Sequence, residues 1–140
     1  MRIFLDTNVL LDFVQDGRPG NDTAKVLFQL LRNNDMEPYV TTQSIIDLVY
    51  IAANIDRGKT MRFVNYLLSV FNVRPIDCMD LRFALNSGHP DFEDSAQIVR
   101  ALDEECDIFL TSDEGIIKRN VAPMLVMTPE QFIYRLKNGS

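Results

Sequence analysis

The chain alternates short apolar runs with longer amphipathic ones. Arg2 to Leu5 read as a short buried strand, and Asn21 to Arg32 (NDTAKVLFQLLR) place apolar residues at Val26, Leu27, Leu30 and Leu31, the period of a helix. Tyr39 and Val40 suggest a second strand, followed by a helix from about Gln43 to Asn54. Gly58 to Phe71 give another amphipathic helix, with Met61, Val64, Leu67, Leu68 and Phe71 on one face. Then NVRPI is strand-like, Met79 to Leu85 and Glu93 to Glu105 are helical, and Ile108 to Leu110 and Met124 to Val126 are strands. Pro129 to Leu136 form a closing helix with proline in its first turn, where a missing N–H is harmless. Strands that alternate with helices predict a three-layer α/β/α sandwich around a mainly parallel central sheet.

At 140 residues, the chain suits a single domain over residues 1–140, and its 46% apolar and 24% charged content are those of a globular protein. Asp6, Asp12 and Asp47 interrupt the longest apolar runs, so none approaches the ~20 residues that span a bilayer. Arg2 is followed by only three apolar residues before an acid, unlike the layout of a signal peptide. A cytoplasmic protein with no membrane association is expected. Cys78 and Cys106 lie far apart without CxxC or Cys/His spacing, so both are expected as reduced, small core residues rather than disulfide partners or zinc ligands.

Acids occupy unusual places in this pattern. RIFLDTNVLLDF sets Asp6 directly after a strand, and DIFLTSDEG sets Asp113 just past another, behind Thr111 and Ser112. Ligands of open parallel sheets sit beyond the carboxyl ends of strands, where strand order reverses, so two strand ends can deliver acids to one crevice. Each acid could instead cap the helix that follows it. Asp47, in SIIDLVYIAA, is either a carboxylate on a largely apolar helix that needs a cation or donors nearby, or part of a wet stripe with Gln43 and Asn54. In HPDFEDSAQIVRAL, Asp91 reads as an N-cap; Asp94 is a poorer reach-back residue, and capping and metal binding are compatible for the pair. Asp77 and Asp80 repeat the spacing and read as a cap only. His89, the single histidine, reads as a surface residue outside any catalytic triad.

Taken together, Asp6 in FLDTNVLLDF, Asp47 in TTQSIIDLVYI, Asp94 in DFEDSAQIVRA and Asp113 in FLTSDEGI resemble, in order and spacing, the four acidic motifs of the PIN-domain nucleases. FEDSAQ followed by CDIFLTSD is similar to the bacterial branch that includes VapC-type toxins. The resemblance implies a parallel sheet carrying the acids at its carboxyl edge, and endonucleolytic cleavage of RNA dependent on Mg²⁺ or Mn²⁺, with one or two ions. By position, Asp6, Asp94 and Asp113 map onto the family's metal-binding acids, with Asp47 assisting a second ion or the attacking water. Asn8 and Thr111 map onto supporting polar residues, and Asp91 lies close enough to join them. The second motif usually supplies Glu, so Asp47 is one methylene short. Products with a 5′-phosphate and a 3′-hydroxyl are implied, as are a small antitoxin partner and a homodimer.

Elementary chemistry agrees with that reading. Carboxylates ~5 Å apart repel by about 3 kcal/mol per pair at an effective dielectric near 20, so either some are protonated or a hard cation sits among them. Oxygen-only ligands favour Mg²⁺ or Mn²⁺ over zinc. The net charge of −6 disfavours a basic groove tracking long nucleic acid. Neutralising four carboxylates leaves −2, and Arg57, Lys59, Arg62, Lys118 and Arg119 are candidates to face phosphates or, more blandly, water. Three other readings compete: a haloacid-dehalogenase-like phosphatase, in which Asn8 stands where a general-acid Asp is needed; a receiver domain, whose acids, Thr and Lys come in another order; and a catalytically weak interaction module.

Overall fold

The computed structural model describes residues 1–119 and 121–139. Its elements run β1 (Arg2–Leu5), α1 (Thr7–Val14), α2 (Asn21–Leu30), β2 (Glu37–Thr41), α3 (Thr42–Ala52), α4 (Arg57–Val70), β3 (Asn72–Arg74), α5 (Cys78–Asn86), α6 (Phe92–Asp103), β4 (Ile108–Leu110), α7 (Glu114–Ile117), β5 (Leu125–Met127) and α8 (Pro129–Lys137). All strand pairs are parallel, in the order β3-β2-β1-β4-β5. The chain therefore builds outward from β1 to β3, then returns to the other side of β1 with β4. The reversal lies between β1 and β4, and it leaves a crevice at their carboxyl ends. This order differs from the 2-1-3-4-5 order of receiver domains.

The pleat sorts the core onto two faces. Ile3, Leu5, Val40, Ile108 and Leu110 point to one, where α1, α2, α3, α4 and α8 close over them. Phe4, Tyr39 and Phe109 point to the other, against Ile98 and Ala101 of α6 and Ile116 of α7. Phe4 and Phe109, both fully buried, stack with centroids 5.2 Å apart, each contributing roughly 2–3 kcal/mol through burial.

Several local expectations shift. In α4 the buried face is Phe63, Val64 and Leu67, while Met61 and Leu68 are exposed, because Phe63 joins the rings of Phe13 and Phe28 at 4.8 and 5.6 Å. In α2, Val26 is exposed and Ala24 and Phe28 are buried in its place. The last strand moves by one residue, since the Thr111 N–H bonds the Met127 carbonyl and draws Met127 into the sheet. Cys106 is buried and Cys78 exposed, both as free thiols; Cys78 opens α5 on the side away from its neighbours.

Two helix ends have clear causes. Asp77 and Asp80 form a reciprocal capping box, as expected of a cap, but Asp80 is also fully buried. Its Oδ2 lies 3.4 Å from Arg100 of α6, which also reaches Asp77, Asp103 and Glu104, so the cap anchors α5 onto α6. The end of α6 is a Schellman turn: Cys106 N–H bonds the Ala101 carbonyl and Glu105 N–H bonds that of Leu102. Glu105 takes the left-handed position at φ 56°, where glycine is usual.

Candidate active site

Asp6 leaves β1 as the N-cap of α1, its Oδ1 accepting the Thr7 N–H at 2.9 Å. Its Oδ2 accepts the hydroxyl of Thr111 at 2.9 Å, from the residue that follows β4. The same hydroxyl accepts the Asp113 N–H at 3.0 Å. One buried threonine thus fixes the spacing of two strand-end acids. Capping and convergence prove compatible, because Asp113 also caps α7 through Gly115 N–H at 2.8 Å.

A cavity of about 420 Å³ opens above this junction, lined by Asp6, Asn8, Asp47, Asp91, Asp94 and Asp113 together with Thr7, Glu93 and an apolar lip of Leu11, Tyr50 and Ile51. Asp47 is half-buried at its edge, its Oδ1 accepting from Gln43 at 3.0 Å, so it is both wet and part of the cleft. Asp91 caps α6 by accepting the Asp94 N–H at 2.9 Å. The return half of a capping box is missing because the Asp91 N–H is taken by Nδ1 of His89, which is half-buried rather than simply on the surface. The Asp94 carboxyl is left to face the cavity.

Burial and the crowding of like charges both show in the pKa values. Burial raises the pKa of Asp6 from 3.8 to about 6 against the opposing hydrogen bonds of Thr111 and Thr7, with Asp113 and Asp91 adding repulsion. Burial, a carboxyl–carboxylate hydrogen bond to Asp91 and the charges of Asp6, Asp91 and Asp113 push Asp94 up to about 7. Glu93 rises to about 7, first through a hydrogen bond to Asp47, then through partial burial and the charges of Asp47, Asp6 and Asp91. The sequence pattern singles out Asp91 and Asp94 but not Glu93; two acids in the first turn of α6 behind an acidic N-cap are the available signal.

The donors are all oxygen, the set that hard divalent cations take. Among the described residues, no three His, Cys, Asp or Glu side chains already form an ion's shell. Mg²⁺ keeps several waters and needs only one or two direct carboxylates, so the residues fit it. From half-buried Thr7 on the cavity wall the polar contacts run inward: Thr7 Oγ1 is 2.7 Å from the buried Ser44 Oγ, and buried Gln97 Nε2 donates to Ser44 Oγ at 2.9 Å.

The candidate cations stand elsewhere or are engaged. Lys59 pairs with Asp16 at 3.1 Å and, with Arg62, borders a separate cavity of about 540 Å³ floored by Phe13, Phe28 and Phe63. That cavity has no carboxylate in its lining, so its size carries no hydrolytic chemistry. Arg119 donates to Ser95 Oγ at 3.0 Å, next to Asp94 in the chain. No helix among the described residues is long and apolar enough to cross a membrane.

The chain is similar to several known proteins. Ribonuclease VapC1 of Aquifex aeolicus (strain VF5) is 22% identical over 139 residues, covering 96% of this chain and 94% of the relative. Among solved structures, Mycobacterium tuberculosis VapC20, a Sarcin-Ricin loop cleaving toxin, superposes with a TM-score of 0.64 at 12% identity, over 76% of this chain and 86% of that one. VapBC2 from Rickettsia felis, bound to a DNA fragment from their promoter, gives 0.67 at 12% identity, over 91% and 98%. A toxin–antitoxin complex from Klebsiella pneumoniae gives 0.65 at 19% identity, over 91% and 97%. The phosphatase and receiver readings find no support in these matches. The sequence profile of the PIN domain matches residues 2–115, and with acids at the carboxyl ends of β1 and β4 of a parallel sheet the chain belongs to the PIN domain family.

Proposed function

We propose that the protein is an endoribonuclease dependent on Mg²⁺ or Mn²⁺ and the toxin of a toxin–antitoxin pair. The observation that carries the reading is one cavity holding Asp6, Asp47, Asp94 and Asp113, with the carboxyls of Asp6 and Asp94 raised to about 6 and about 7. The raised pKa values come first from burial and then from neighbouring carboxylates, and a bound cation would offset both. Asp6, Asp94 and Asp113 would hold the principal ion, and Asp47, beside Glu93, would assist a second. When bound, such an ion supplies charge opposite the phosphate oxygens and acidifies water.

The chain's own groups do the positioning. Thr111 and the Thr7 N–H hold both oxygens of Asp6, leaving its outward lone pairs to the cavity. Asn8 offers an amide at the rim, and Asp91 fixes the start of α6 so that Asp94 faces inward. Glu93 lines the same cavity as Asp47, so α6 sets a further carboxyl beside the short Asp47. This arrangement favours an active nuclease over a silent module.

RNA is the substrate in this reading, and the names of the relatives support a toxin with a small antitoxin partner. An acidic cleft suits a basic segment of that partner. A homodimer and a cytoplasmic location complete the proposal. The experiment is cleavage of structured RNA by purified protein stripped of metal, with Mn²⁺ added back, beside Asp94→Asn. Cleavage restored by Mn²⁺ and lost in the variant is expected; metal-free cleavage, or full activity in Asp94→Asn, overturns the reading.

A further inference from the structure

Three elements that carry the acids meet through a single polar chain, buried at Thr41, Ser44 and Gln97 and half-buried at Thr7 on the cavity wall. Thr7 opens α1 one residue after Asp6; Ser44 lies in the first turn of α3, three residues before Asp47; Gln97 lies on α6, three residues after Asp94 and on the same side of the helix. Ser44 and Thr41 are wholly buried, and Gln97 is 1% exposed. Gln97 Nε2 donates to Ser44 Oγ at 2.9 Å, and its Oε1 accepts from Thr41 Oγ1 at 3.2 Å. Thr41 Oγ1 caps α3 by accepting the Ser44 N–H at 3.0 Å, and Ser44 Oγ meets Thr7 Oγ1 at 2.7 Å.

A glutamine is an expensive choice for that position if packing alone were at stake. Its amide must find partners at both ends, and an apolar side chain of the same length would fill the space without that demand. What the amide adds is a fixed distance and direction between helices. Hydrogen bonds specify geometry more narrowly than apolar contact does, and here they fix α6 against α3, and α3 against α1, directly below the carboxylates.

We infer that Gln97 is a positioning residue. Through Ser44 and Thr7 it holds α6, α3 and α1 in the relation that lets Asp94, Asp47 and Asp6 share one cation-binding cavity. The inference rests on the proposed cation-dependent cleavage of RNA at that cavity. It assigns Gln97 no contact with substrate. Its effect is on how well the three acids converge.

The test uses Gln97→Met, which keeps length and apolar bulk but loses both polar ends, and Ser44→Ala as an independent cut in the same chain. Mn²⁺ binding to the metal-free folded protein is measured by calorimetry well below the melting transition, and kcat and KM are measured on structured RNA. Groups that orient metal-holding side chains cost about tenfold to a hundredfold in affinity or activity when lost. Both variants are expected to bind Mn²⁺ at least about tenfold more weakly and to lose kcat, while KM for RNA stays within about twofold. The double variant should be little worse than Gln97→Met, because both cut one connection.

A melting temperature that falls while Mn²⁺ affinity and kcat hold would mean that Gln97 only packs, and it overturns the inference. Asp94→Asn separates the two levels of the argument. If it binds Mn²⁺ like the parent, the cation reading of the cavity fails and takes this inference with it. If it loses Mn²⁺ while Gln97→Met and Ser44→Ala keep parental affinity, the positioning role alone falls. Should Gln97→Met not fold, Ser44→Ala decides by the same measurements.

Discussion

Asp6→Asn should make the protein more stable and inactive at once. The Asp6 pKa is 3.8 in its ordinary setting and about 6 in the fold, with burial the main cause. Between those values the folded chain holds a proton that the unfolded chain has released, so stability falls as pH climbs from about 4 through about 6. At roughly 1.4 kcal/mol for each tenfold change in acidity, keeping the buried carboxylate ionised at neutral pH costs about 3 kcal/mol. Asparagine removes the charge and still accepts one of the two hydrogen bonds from Thr7 and Thr111, forgoing about 1 kcal/mol with the other. The net gain is about 2 kcal/mol, or about 6 °C in melting temperature for a chain of this size. Urea unfolding with chelator present, at pH 7.5 and at pH 4, reads the difference directly. The variant should be the more stable at pH 7.5, and the gap should close at pH 4, where the parent carboxyl is protonated. A gap that is the same at both pH values, or a variant less stable at pH 7.5, refutes the claim that Asp6 is a carboxylate held against its own preference.

Thr111→Val removes a hydroxyl that lowers the Asp6 pKa and caps the Asp113 N–H, so the acidic limb of the pH–rate profile should move to higher pH. Stability should fall by about 1–3 kcal/mol from the unpaired groups left behind, and an unmoved limb counts against the assignment. Gly20→Ala brings a Cβ to 2.8 Å from Asp12 Cγ, which Arg18 holds by an ion pair at 2.7 Å, and overpacking of this kind costs roughly 1–3 kcal/mol in urea unfolding. An unchanged midpoint would show that the Asp12–Arg18 pair yields easily. Glu105→Gly relieves a left-handed residue at φ 56° and should raise stability by about 1 kcal/mol in thermal unfolding, whereas a loss would mean the side chain contributes more than its backbone strain takes away.

The parts of the fold that could be read from the sequence are those set by local period. Ile3 to Leu5 and Ile108 to Leu110 are short apolar strands ended by acids, so their carboxyl ends, and hence the crevice, were legible. Asp47 resisted a decision because it satisfies both descriptions, facing water and the cleft from the same half-buried position. Glu93 was missed because its partner Asp47 lies on another helix, remote in the chain. Nothing in the local period singles out Gln97 or Ser44, and only the contact between α6 and α3 shows that they are buried against each other. In α4 the period allowed two neighbouring faces, and the rings of Phe13 and Phe28 chose the one containing Phe63.

The bond between Thr111 and Asp6 closes a loop of 105 residues. During synthesis, the first acid therefore waits, unaccompanied, while every other strand-end group is still to be made. A nascent chain carrying β1, β2 and β3 has most of its sheet and, in Asp6 and Asp47, one side of the crevice, because β4 must slot in beside β1 before the second wall exists. If the proposed reading of the cavity holds, its last acid, Asp113, joins Asp6 only once β4 and the residues just beyond it have emerged.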